Sequence, residues 1–158
     1  ERKDGPTALI LTRQNIPSLT SVQPLSADER RQGTLKGAYI ALKEQTEQPG
    51  RIIIASGSEV ILALQAAKEL GPDVRVVSMP SMWRFNRQSA EYRESVLPAA
   101  CTRRLAVEAG KSDLWYRYVG TEGDIISIDS YGFSAPGDVV LSELGMNVPN
   151  IVAHAQKL

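Results

Sequence analysis

The chain has 158 residues, with 18 basic side chains against 18 acidic ones, one cysteine and one histidine. That length can bury a core without disulfide or metal staples, and the balanced charge supplies no global field for nucleic acid or an anionic membrane surface. With Cys101 alone there is no internal disulfide and no cysteine metal cluster, and no apolar run is long enough to span a bilayer; these features fit a cytoplasmic protein with no membrane or nucleic-acid partner. The chain opens without a methionine on Glu1-Arg2-Lys3-Asp4, with no signal-type apolar segment behind it. It therefore reads as a piece of a longer chain.

Residues 7–12 (T-A-L-I-L-T) have the composition of a buried strand, closed by Arg13-Gln14-Asn15 at the carboxyl end, where α/β sheets often present ligand groups. Residues 16–34 hold Pro17 and Pro24 and show no clear period, so they read as a linker. A structureless connection that long argues that the first strand belongs to a different unit from the rest of the chain. Residues 37–43 (G-A-Y-I-A-L-K) read as a strand, and only residues 44–50 separate it from the next one, 52–55 (I-I-I-A). Parallel crossovers need a dozen residues or more, so these two strands run in opposite directions and the sheet is mixed.

After the apolar run at 52–55, Ser56-Gly57-Ser58-Glu59 combines a turn glycine with an S-x-x-E capping box. Apolar residues then recur at helical spacing until Gly71. This strand, turn and helix is the unit from which a parallel α/β domain grows. Residues 74–79 form a further strand parallel to the second, and 81–86 a loop or single turn. Residues 89–97 form a short helix capped by Ser89 and stopped by Pro98. A fourth strand spans 103–109, a helical turn 114–119, and a fifth strand 124–129. Two helices finish the chain, one from Ser134 to Gly145 and one from Asn147, whose Val148, Ile151, Val152 and Ala155 make a single apolar stripe.

No catalytic constellation is legible from the residues alone. Gly57, at a strand-to-helix turn, could help cradle a small anion, but G-x-G-x-x-G and G-K-[ST] are both absent and a tight turn before a capped helix is the preferred reading. His154 has no second histidine to share a metal or relay and reads as a boundary residue. Cys101 reads as a small buried side chain. Glu108 ends a strand, where a functional carboxylate would be presented; the alternative is an edge carboxylate paired with a nearby arginine. Arg84, Arg87, Arg93, Arg103 and Arg104 are the one basic concentration. Glu91 and Glu94 interrupt it, so it reads as an ion-paired or interface surface.

Seven stretches, in order and in register, resemble the carboxyl-terminal portion of transketolases. They are G-P-T-A-L-I-L-T-R-Q-N from Gly5, A-S-G-S-E-V from Ala55, V-R-V-V-S-M-P-S from Val74, Y-R-E-S-V-L-P from Tyr92, V-E-A-G from Val107, W-Y-R-Y-V-G from Trp115 and F-S-A-P from Phe133. The resemblance implies an α/β fold: a three-layer α/β/α sandwich over a five-stranded mixed sheet, with one antiparallel edge strand. It implies that residues 1–16 hold the last strand of a preceding pyrimidine-binding domain, 17–35 a linker, and 36–158 the carboxyl-terminal domain. The full-length enzyme it implies is a homodimer using thiamine diphosphate and Mg2+, both held by domains absent here. That enzyme moves a two-carbon ketol unit from a ketose phosphate to an aldose phosphate in the pentose phosphate pathway. This portion is then structural and dimer-supporting, inactive alone and without cofactor, metal or catalytic residues of its own.

One site residue carries over: Arg13, in T-R-Q-N, matches the family arginine that binds the substrate phosphate, a role suited to a guanidinium's planar fork of donors. Residues 83–88 and 129–132 follow the family only loosely. The alternatives are another thiamine-diphosphate enzyme, such as a deoxyxylulose-phosphate synthase or the β-subunit of a 2-oxo acid dehydrogenase, and a free-standing small-anion-binding module at Gly57. Residues 92–98 and Arg13-Gln14-Asn15 favour transketolase.

Overall fold

Ile52, Ile53 and Ile54 are all fully buried, because their strand, β2 (Arg51–Ala55), is covered on both faces. In a computed structural model, which describes residues 3, 5–11, 14–19 and 24–158, β2 is the centre of a five-stranded sheet. The other strands are β1 (Tyr39–Leu42), β3 (Val74–Ser78), β4 (Arg104–Glu108) and β5 (Asp124–Ser127). Their order is β1-β3-β2-β4-β5. Strands β2 to β5 are parallel, with Ile53 opposite both Val76 and Leu105, and β1 runs antiparallel to β3 at the edge. The expected mixed sheet with one antiparallel edge strand is therefore present.

Alternate side chains of these strands feed two cores, as a period of two requires. Ile53, Val74, Val76, Leu105 and Val107 pack under α2 (Glu59–Leu70) and α7 (Val148–Lys157). Ile52, Ile54, Val77 and Ala106 pack under α3 (Met82–Phe85), α4 (Ala90–Val96) and α5 (Tyr116–Val119) through Phe85, Val96, Trp115 and Tyr118. The result is the expected α/β/α sandwich. The stripe of α7 behaves as its spacing implies: Ile151 and Ala155 are buried, and the Asn147 side chain accepts from the Asn150 N–H at the helix start. A short α6 (Gly137–Glu143) precedes it and lends Leu141 to the first core.

Two expectations about local structure are corrected. The stretch read as a period-free linker contains α1 (Ala27–Lys36), opened by a Ser26/Glu29 capping box and closed by Gly37 at φ +94°. This helix has almost no apolar face, so the capping residues carry its signal and periodicity carries none. It is held by close packing instead: a Cβ on Gly33 would run into Tyr39, and one on Gly37 into the Phe85 N–H and the Ser81 carbonyl. Residues 7–11, expected as part of a strand, form none. Leu9, Ile10 and Leu11 lie exposed, with no neighbouring strand to complete their backbone hydrogen bonds.

Candidate functional site

Strands β3 and β4 lie on opposite sides of β2, so the connections leave β2 and β4 in opposite directions and open a crevice at their carboxyl ends. The crevice is a cavity of about 260 Å³ lined by Ser56, Gly57, Ser58, Glu59, Glu108 and Ala109, with Ile10, Leu11 and Gln14 of the amino-terminal segment across it. Gly57 takes φ +53°, the left-handed turn that sends the chain from β2 into α2.

The polar groups here consume one another. Ser56 Oγ donates to Glu108 Oε2 at 2.8 Å, and Glu108 Oε1 accepts from the Gly110 N–H at 2.9 Å. Ser58 Oγ donates to Glu59 Oε1 at 2.7 Å. The expected S-x-x-E capping box is thus not made: the N-cap of α2 is Ser58 without a side-chain cap bond, and the Ser56 hydroxyl is taken by a carboxylate 52 residues away. Of the two readings of Glu108, the arginine-paired edge carboxylate is corrected: among the described residues its partners are a serine and a backbone amide. Burial pushes the Glu59 carboxyl above its ordinary pKa; Ser58 and its own backbone amide oppose this, and the Glu108 charge adds to it.

Two carboxylates at the mouth make the crevice unsuited to phosphate or diphosphate, whatever the N-terminus of α2 offers. Among the described residues no group of three or more His, Cys, Asp or Glu could hold a metal ion. With Glu59 and Glu108 at the crevice mouth, the small-anion reading of Gly57 loses its chemistry.

The other candidates fall elsewhere. Arg13 lies outside the described residues. Cys101 is 7% exposed, and burial raises its thiol pKa, so it is not a thiolate nucleophile. His154 Nδ1 lies 2.6 Å from Asp124 Oδ2, tying α7 to the start of β5. Among the described residues none of the five clustered arginines forms an ion pair. Arg104 donates to the carbonyls of Leu97, Pro98, Cys101 and Tyr118, and Arg87 stacks over Trp83 at 3.6 Å. Glu59, half of the crevice's charge, went unsuspected because its sequence position reads only as a helix cap.

Comparison with known proteins decides the family. Residues 37–147 match the model of the transketolase-like TK C-terminal domain. The chain belongs to the transketolase C-terminal domain family. A transketolase from Dictyostelium discoideum is 52% identical over 96% of the chain, which spans 22% of that relative. One from Bacillus subtilis is 49% identical over 98% of the chain and 23% of its own length. Among solved structures, transketolase from Leishmania mexicana superposes with a TM-score of 0.74 at 36% identity, over 80% of the chain and 18% of that protein. Pichia stipitis transketolase in complex with sedoheptulose 7-phosphate gives 0.77 at 30% identity, over 92% and 20%. The chain thus corresponds to about a fifth of the transketolases it matches, and no described helix is long and apolar enough to cross a membrane.

Proposed function

We propose that the chain is the carboxyl-terminal part of a cytoplasmic, homodimeric transketolase, which transfers a two-carbon ketol unit between sugar phosphates with thiamine diphosphate and Mg2+. The observation that carries this reading is the 52% identity to a transketolase along 96% of the chain. A Pichia stipitis relative solved with sedoheptulose 7-phosphate supports the substrate class. Residues 1–16 belong to the preceding pyrimidine-binding domain and 36–158 to the carboxyl-terminal domain. The connection between them, 17–35, includes most of α1. Arg13 binds the substrate phosphate in the assembled enzyme.

The role of this portion is structural, and the isolated chain binds no thiamine diphosphate and turns over no sugar phosphate. The carboxylate-lined crevice supports that reading. So do large apolar side chains left in solvent on the segments after β4 and β5: Leu114, Tyr116 at the start of α5, Tyr131 and Phe133 are 70%, 61%, 100% and 50% exposed. The two segments are tied together, Ser112 N–H to Asp129 and Ile128 N–H to the Gly110 carbonyl, so they present one surface suited to dimer and domain contacts.

A chimera tests the proposal. Replacing the matching fifth of the Bacillus subtilis enzyme with this chain should preserve ketol transfer and dimer formation, whereas the chain alone should show neither turnover nor saturable cofactor heat in calorimetry. A folded but inactive chimera, or micromolar cofactor binding by the chain alone, would overturn it.

A further inference from the structure

On the sheet face away from α2 and α7, a cavity of about 310 Å³ lies among α3, α4 and α5, lined by Phe85, Asn86, Ala90, Arg93, Glu94, Leu97, Arg117 and Tyr118. It shares no lining residue with the crevice at the strand ends. Arg75 and Arg104, which flank it on the sheet, are engaged by internal acceptors: Arg75 by Glu44 and the carbonyls of Ser95 and Val96, Arg104 by four carbonyls. Arg93 has no such partner among the described residues. Its Nε–H is buried and meets no acceptor among the described residues, a cost that native structures rarely leave standing. Arg117 stands exposed at the same cavity.

The remaining polar groups have capacity to spare. Asn86 Oδ1 accepts from the Tyr118 hydroxyl at 3.1 Å, which leaves the Asn86 amide nitrogen as a donor. Glu94 Oε1 accepts from the Ala99 N–H at 2.9 Å, which leaves Oε2 as an acceptor. Two guanidiniums against one carboxylate give the cavity a net positive charge. Two forks suit the three oxygens of a phosphoryl group, whereas a carboxylate would be served by one. Phe85, Ala90 and Leu97 provide an apolar wall for a carbon skeleton, and the volume exceeds what a bare phosphate fills.

We propose that this cavity binds a small, hydroxyl-bearing phosphate monoester, its phosphoryl oxygens held by Arg93 and Arg117 and its hydroxyls by Asn86 and Glu94. The test uses the 158-residue chain with glycerol 3-phosphate, inorganic phosphate and glycerol as probes, at ionic strength held constant with NaCl. Binding is followed by calorimetry and by the ¹⁵N–H resonances of the Arg93 side chain and the Asn86 amide. The ester should bind saturably, more tightly than inorganic phosphate and far more tightly than glycerol, and should shift both resonances.

Arg93→Gln and Arg117→Gln should each weaken ester binding about ten- to a hundredfold, as loss of a charge-assisted contact implies. Arg31→Gln, on the exposed side of α1, should leave it unchanged. If Arg93→Gln does not fold, the exposed Arg117 carries the same test. Absence of saturable ester binding, equal affinity in the arginine variants, or shifts centred on other residues would each overturn the assignment.

Discussion

Glu44 and Arg75 form the most deeply buried ion pair among the described residues, with side chains 2% and 7% exposed. Arg75 Nε and Nη2 donate to the two Glu44 oxygens at 2.8 and 2.6 Å, and Nη1 donates to the carbonyls of Ser95 and Val96 at the end of α4. Removing one partner strands a buried charge, so Arg75→Met and Glu44→Leu should each cost about 3–5 kcal/mol. For a chain of this size that is a fall in Tm of roughly 6–20 °C. The double variant leaves no unpaired charge, only the two orphaned carbonyls, and should lie within about 1–3 kcal/mol of the parent. The pair also has a pH signature. The Arg75 hydrogen bonds hold the Glu44 carboxyl below its ordinary pKa against the opposing effect of burial. Its contribution is therefore fully present above about pH 4.3, the unfolded value, and is lost as pH falls through the folded one. Urea unfolding followed by the fluorescence of buried Trp115 reads all of this. Additive single-variant losses, or an unchanged acid limb in Glu44→Leu, would refute the reasoning.

Glu59 carries the opposite sign, because its folded pKa is raised: Glu59→Gln should stabilise the chain at neutral pH, with the gain vanishing below about pH 4.3, as denaturation at pH 7 and pH 4 would show. Gly37→Ala forces a side chain into φ +94° and against Phe85 and Ser81, and should cost at least about 1–3 kcal/mol in the same assay. Amides of residues 7–11 in the isolated chain should exchange with little protection, since they form no strand; strong protection by hydrogen-exchange mass spectrometry would place them in a sheet. In the chimera, Arg13→Ala should raise KM for phosphorylated donors about ten- to a hundredfold and matter little for hydroxypyruvate, while equal losses with both donors would leave Arg13 a structural residue.

The parts of the fold that were legible are those whose cause is local. The isoleucine run of β2, the Ser89 cap of α4 and the stripe of α7 each announce an element through a few neighbouring residues. The antiparallel sense of β1 came from loop length alone. Strand order was not legible, because which parallel strand lies beside β2 depends on contacts far apart in sequence. Helix α1 was misread because its residues are nearly all polar, and its evidence sat in the Ser26/Glu29 pair at its start. At the crevice the failure was of a different kind. The S-x-x-E pattern at Ser56 is a genuine cap signature, but β4 brings a stronger acceptor to the same hydroxyl, and no local window contains Glu108.

That competition explains why a domain with the topology of a ligand-binding sheet need not bind a ligand there. The switch point between β2 and β4, the glycine turn and the start of α2 are the features on which α/β proteins commonly seat anions. Here Glu59 occupies the first turn of that helix and Glu108 accepts from the serine that precedes the turn, so the positive end of α2 is already answered by carboxylates. An incoming phosphate would have to displace those hydrogen bonds and sit beside one charge or two. The architecture is thus retained while its usual chemistry is internally neutralised, and fold alone is a poor guide to where this domain works. The outer wall of the crevice is Ile10, Leu11 and Gln14, so the amino-terminal segment faces a surface on which Ser56, Glu108 and the Gly110 amide already answer one another.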